Sequence, residues 1–201
     1  MNATLEIPVL PPRSIVLDPP LSDEEFERMS ERCDCASLER SKEGAIIVNA
    51  PAGGMTSDGN SEIILQLRAW WKRHRRGRAF DSNAGFFLPD GSVLSPDAAY
   101  VTPEQLQGLT RDDLAHFLRL APSFVVELRS PSDSLSAAAN KMEAWMVNGV
   151  QLGWLVDPYA KQVHVYEPGA APRIESGSLV SGAGPVEGFV LDAEEVWRCY
   201  E

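Results

Sequence analysis

The run Phe124–Asp133, which reads FVVELRSPSD, constrains the chain more than any other stretch. Phe124, Val125 and Val126 have the continuous apolar character of a strand buried on both faces. That strand nevertheless delivers a carboxylate, Glu127, and then a cation, Arg129, before ending at Ser130-Pro131-Ser132-Asp133. An unpaired charge in an interior costs several kcal/mol or neutralises. Glu127 therefore needs a cation, a metal or a cleft. Ser95–Val101 repeats the design, with Asp97 at the head of a second apolar run. Two acids delivered on core strands point to a metal site.

The rest of the chain can supply the surrounding core. With 201 residues and 44% apolar content, one globular domain is expected over 21–201. The 23% charged content and five tryptophans argue against general disorder. No apolar run approaches the ~20 residues needed to span a bilayer, and Met1–Glu6 lacks the features of a signal peptide. The expected location is cytoplasmic, with no membrane partner. Cys33-Asp34-Cys35 is tighter than a C-x-x-C pair and Cys199 adds no second pair, so the cysteines read as structural. The net charge of −11 argues against a broad, non-specific nucleic-acid coat and leaves room for a local basic groove.

Residues 1–20 carry five prolines and read as an extended arm. Ser22 followed by Asp23, Glu24 and Glu25 predicts a capped helix ending near Cys33. Ala36–Arg40 and Ala45–Asn49 form a predicted hairpin across Lys42-Glu43-Gly44, placing Glu39 on its first strand. A long helix is predicted from Ser57 to Arg76, with Gly77 as its left-handed cap. Its last turns hold Lys72, Arg73, His74, Arg75 and Arg76, either complementing the helix dipole or contacting phosphate. Strands follow at 78–81, 84–88, 92–94, 95–101 and 124–129. Ser132–Asn148 is a second helix, with strands at 151–157 and 161–166 and a turn of helix near Ala193–Trp197. The predicted class is α/β, a mixed sheet flanked by helices.

Magnesium takes oxygen ligands and is usually held by one or two carboxylates. Asp97 and Glu127 on neighbouring strands would supply them. Glu127 and Arg129 share a strand face by alternation. Lys141 borders the apolar stripe of the following helix, four residues before Trp145. Arginine cannot serve as a base, so Arg129 suits phosphate binding, whereas a buried lysine can change its protonation. The bland alternative has Asp97 capping a turn, Glu127 paired with Arg129 or Arg119, and Lys141 in solvent.

Ser95-Pro96-Asp97, Glu127-Leu128-Arg129-Ser130-Pro131-Ser132-Asp133, Lys141 and Gly153-Trp154-Leu155-Val156-Asp157-Pro158 follow one another in a known order and spacing. With Leu38-Glu39-Arg40, Gly44 and Pro51-Ala52-Gly53-Gly54, they make a chain that resembles the Uma-type putative restriction endonucleases, a branch of the PD-(D/E)XK nuclease superfamily. The resemblance runs from about Leu21 to Tyr166. It implies a restriction-endonuclease-like core, Asp97 and Glu127 as Mg²⁺ ligands with Mn²⁺ as the alternative ion, and Glu39 as an additional acid. Arg129 stands where the superfamily places its lysine. In this branch the lysine comes from the next helix, which maps onto Lys141.

The leading expectation is a Mg²⁺-dependent DNA endonuclease in which Asp97, Glu127 and Glu39 bind metal and Lys141 assists the water. Arg129, Arg73, Arg75 and Arg76 would contact phosphate. The second is a catalytically inactive nuclease-fold protein that binds nucleic acid or a protein partner, favoured by Arg129 and the acidic charge. A hydrolase of smaller phosphate esters is a third. A homodimer would suit cleavage of two strands, although no residue specifies it.

Overall fold

A computed structural model describes residues 13–34 and 36–201. Most of the proline-rich arm and Cys35 therefore lie outside the described residues. The elements are β1 (Arg13–Ile15), α1 (Asp23–Glu31), β2 (Ser37–Arg40), β3 (Ile46–Asn49), α2 (Gly54–His74), β4 (Arg78–Asp81), β5 (Phe86–Phe87), β6 (Val93–Leu94), β7 (Ala98–Val101), α3 (Pro103–Leu106), β8 (Phe124–Leu128), α4 (Leu135–Val147), β9 (Leu152–Asp157), β10 (Gln162–Tyr166), β11 (Arg173–Glu175), β12 (Leu179–Ser181), β13 (Val190–Asp192) and α5 (Ala193–Arg198). The described residues pack as two compact units. One holds residues up to Pro51 with Gly91–Val93, and the other holds Ala52–Asp90 with Leu94–Glu201.

The first unit begins its helix where the sequence predicts. The Ser22 hydroxyl accepts from the Glu25 N–H at 3.2 Å, and the Glu25 carboxylate accepts from the Ser22 N–H at 2.9 Å. This reciprocal cap satisfies two of the helix's otherwise orphaned donors. β1, β3 and β2 lie side by side as antiparallel neighbours, so the expected hairpin is present and the end of the arm forms a strand. Arg40 is buried, but its charge is compensated. The guanidinium lies 2.5 Å from Asp23, donates to the Leu21 and Gly91 carbonyls, and sits over the Phe26 ring. Glu39 is also buried and accepts from the Asn49 side-chain amide at 3.1 Å.

The second unit is built on a mixed six-stranded sheet in the order β11-β10-β9-β8-β7-β4. β8 and β9 run parallel, and the other neighbouring pairs are antiparallel. On one face Ile63, Leu67 and Trp70 of α2 pack with Val196 and Trp197 of α5 against Ala98, Phe124, Val126 and Trp154. On the other, Met142 and Trp145 of α4 pack against Ala99, Val125 and Leu155. Coverage on both faces explains why β8 and β9 read as apolar runs without alternation. A side chain at Gly153 would collide with the Met142 sulfur, so this glycine lets α4 approach β9.

Helix α2 differs from expectation at both ends. It starts at Gly54, three residues before Ser57, and stops at His74, with Arg75 rather than Gly77 taking the left-handed cap position at φ 51°. The Trp71 indole donates to the Gly77 carbonyl at 2.9 Å, and the Tyr100 hydroxyl donates to the Arg76 carbonyl at 3.0 Å. These contacts pin the chain and turn it early. α4 begins at Leu135, where the Ser134 hydroxyl accepts from the Ala137 N–H at 3.1 Å. Among the described residues no helix is long and apolar enough to cross a membrane.

Candidate metal centre at the end of the sheet

The register places the two acids together. β7 and β8 pair antiparallel with Ala98 opposite Val126, so the next position outward sets Asp97 against Glu127. Val125 and Ala99 face α4, and alternation puts Glu127 on the same side. The Asp97 Oδ2 atom accepts from the Leu128 backbone N–H at 2.7 Å, tying it to the residue that follows Glu127.

Asp97 is also held from the other face of the sheet. Asn60 of α2 donates its side-chain amide to Asp97 Oδ1 at 2.7 Å. The preceding residue explains the reach. A Cβ on Gly59 would lie 2.9 Å from Leu128 Cδ2 and 3.1 Å from the Tyr200 ring, so its absence permits close approach of α2. Nothing in the spacing of Asn60 signals this contact, which joins residues 37 positions apart.

Glu127 is buried and pairs with Lys141, whereas Arg129 pairs with Asp157. Lys141 Nζ lies 3.1 Å from Glu127 Oε1 and donates to the Ser95 carbonyl at 2.9 Å. The Trp145 indole N–H donates to the same Oε1 at 2.7 Å. Lys141 and Trp145 are four residues apart on α4, hence on one helix face. Sequence reading uses Trp145 only as an apolar marker; its N–H is the missed functional group. A buried indole N–H requires an acceptor, which is the signal that could have found it.

Arg129 does different work. Its guanidinium lies 2.9 Å from Asp157, whose side chain is only 2% exposed, and its Nε donates to the Asp133 carbonyl at 3.1 Å. It also sits over the Tyr159 ring. Asp157 in turn accepts from the Tyr159 and Ala160 backbone N–H groups. Arg129 thus joins the end of β8 to the end of β9 and to the turn before α4. Tyr159 meets Tyr200 edge to face. Burial pushes the Tyr200 hydroxyl up to about 12, with a smaller downward pull from Thr56 and a further rise from the Asp97 charge.

Arg73, Arg75 and Arg76 are exposed at the C-terminal end of α2. Arg73 follows Asn60 by thirteen residues, roughly 20 Å along the helix at 1.5 Å per residue. Any phosphate they touch is remote from Asp97. Glu39 belongs to the first unit, beside Asn49.

Asp97 and Glu127 present hard oxygen donors from adjacent strands, a set that suits Mg²⁺ or Mn²⁺ and not a soft metal. The residues fit the group.

The comparisons with known proteins agree with this architecture. The Uma2 family, described as "Putative restriction endonuclease", matches residues 23–194. A solved structure described as a putative nuclease belonging to DUF820, from Anabaena variabilis ATCC 29413, has 22% sequence identity and a TM-score of 0.76. That similarity covers 90% of this chain and 100% of the other, and at such identity it speaks for the fold. No curated protein shows significant similarity. With the family match spanning most of its length and the shared nuclease fold beneath it, this chain belongs to the Uma2 family of restriction-endonuclease-like proteins.

Proposed function

We propose that the protein is a Mg²⁺-dependent endonuclease that hydrolyses DNA phosphodiester bonds. The observation that carries this reading is the placement of Asp97 opposite Glu127, with Lys141 bonded to Glu127 Oε1. Asp97 and Glu127 would hold the cation. When bound, the ion supplies Lewis acidity toward the phosphate and its water. Lys141 acts as a hydrogen-bond donor. Anchored by a carboxylate and a carbonyl, it orients water and stabilises charge on phosphate oxygens. Arg129 has five N–H donors, of which the Asp157 and Asp133 contacts engage two, and its others are offered to phosphate. Arg73, Arg75 and Arg76 would guide the backbone of a long substrate.

Plasmid cleavage tests the reading. The native chain with Mg²⁺ should nick or linearise the DNA, and Asp97→Ala should not. Equal cleavage by both would remove the proposed site. Absence of cleavage by the native chain, together with no Mn²⁺ binding at millimolar concentration, would favour a non-catalytic nuclease-fold protein.

A further inference from the structure

We propose that Trp145 is a positioning residue of the metal centre: its indole N–H fixes the orientation in which the Glu127 carboxylate is presented to the cation. The inference rests on the metal reading above and deepens it.

Glu127 Oε1 receives two donors from one helix face, Trp145 Nε1 at 2.7 Å and Lys141 Nζ at 3.1 Å. A carboxylate oxygen offers two lone-pair positions. With both donors on Oε1, the carboxylate is tied to one face of α4 and its plane is set from that side.

The two donors are unequal as anchors. Lys141 has a flexible stem and a side chain that is 28% exposed. Trp145 is fully buried, and its ring packs edge to face on Phe86 with centroids 6.1 Å apart. An aromatic ring packed in this way has one orientation, so its N–H has one direction. Trp145 sets the carboxylate plane, and Lys141 follows it. Groups that orient a metal-binding carboxylate commonly change metal affinity 10–100-fold when removed.

The alternative is that Glu127 merely satisfies a buried indole. Mn²⁺ affinity, measured by calorimetry and by the loss of free-ion electron paramagnetic resonance signal, separates the two. Three proteins are compared well below their unfolding temperatures: native, Trp145→Phe and a protein carrying β-(3-benzothienyl)alanine at position 145. Trp145→Phe keeps an aromatic ring and loses the N–H. The benzothienyl side chain preserves the bicyclic shape and its packing on Phe86 and loses only the N–H. Affinity should fall about tenfold or more in both. Native-like affinity in both N–H-deleted proteins would overturn the role of Trp145 while leaving the metal site intact. Native-like affinity in the benzothienyl protein with a loss in Trp145→Phe would also overturn it, because affinity would then track packing. A native chain that binds no Mn²⁺ would overturn the metal reading and this inference with it.

Discussion

Lys141 Nζ lies 3.1 Å from Glu127 Oε1, on an oxygen that also receives the Trp145 N–H. The ammonium therefore has a dual position: it compensates a buried carboxylate and stands beside the proposed cation. Stability and chemistry should separate when the two partners are changed individually. Lys141→Met leaves Glu127 buried with its charge less compensated but still bonded to Trp145, and should cost about 1–3 kcal/mol in urea unfolding. Glu127→Gln removes the charge while keeping an acceptor for Trp145, and should cost less. Both should abolish Mg²⁺-dependent cleavage. A Glu127→Gln protein less stable than Lys141→Met would show that the pair is not held for charge compensation.

Asn60 is expected to matter through Asp97. Its amide nitrogen serves Asp97 at 2.7 Å, while its Oδ1 atom is buried without a hydrogen-bond donor among the described residues. A residue selected for stability alone would satisfy both ends. Asn60→Ala should weaken Mn²⁺ binding severalfold with at most about 1 kcal/mol of destabilisation. Asn60→Asp should weaken it further, because it places a second negative charge against Asp97. Calorimetric titration of the three proteins provides the comparison.

The exposed arginines at the end of α2 should act on binding rather than on the chemical step. Changing Arg73, Arg75 and Arg76 together to alanine should reduce affinity for long duplex DNA. It should also flatten the dependence of log K on log salt by about 3, roughly one unit for each phosphate that is no longer neutralised. Cleavage of a saturating short duplex should change little, given the roughly 20 Å that separates Arg73 from Asn60 along the helix. Unchanged salt dependence would leave these side chains as partners of the helix dipole.

Alkaline pH should destabilise the fold. Burial raises the Tyr200 hydroxyl from 10.0 to about 12. Burial likewise raises the Cys199 thiol from 9.0 to about 11, assisted by a hydrogen bond to Asp58 and by the charges of Asp58 and Glu62. In both cases the folded chain holds a proton that the unfolded chain has released. The unfolded state then binds fewer protons, and stability falls as pH rises. The expected window opens near pH 9 for Cys199 and near pH 10 for Tyr200, and closes near their folded values. Thermal unfolding across this range should show the decline, and Tyr200→Phe should flatten its upper part. The raised thiol also predicts alkylation of Cys199 at pH 8 that is about a hundredfold slower than in the unfolded chain.

What could be read from the sequence divides by the range of the interaction concerned. Ser22 with Glu25, and Gly44 with φ 86°, announce a helix start and a turn through contacts a few residues long. Glu127 stands out because an acid in an apolar run conflicts with its surroundings. Lys141 could be singled out by its place at the edge of an apolar stripe. Asn60 could not, because an asparagine within a helix gives no sign of a carboxylate 37 residues away. Trp145 was hidden by its own hydrophobicity, which explains its burial so well that its N–H went unassigned. The early end of α2 was illegible for a related reason: Tyr100 and Trp71 pin the turn, and a local preference for Gly77 yields to them.

The parallel pairing of β8 with β9 has a consequence for how this site can vary. Parallel neighbours need a crossover, and here the crossover is α4 itself, so the connection that returns the chain also carries Lys141 and Trp145. The distance from Glu127 to its two donors is thus a ruler measured in helical turns. One residue inserted in α4 ahead of Lys141 would rotate both donors by about 100° at a single stroke. A substitution in this segment acts on one donor at a time, but a change of length acts on both together.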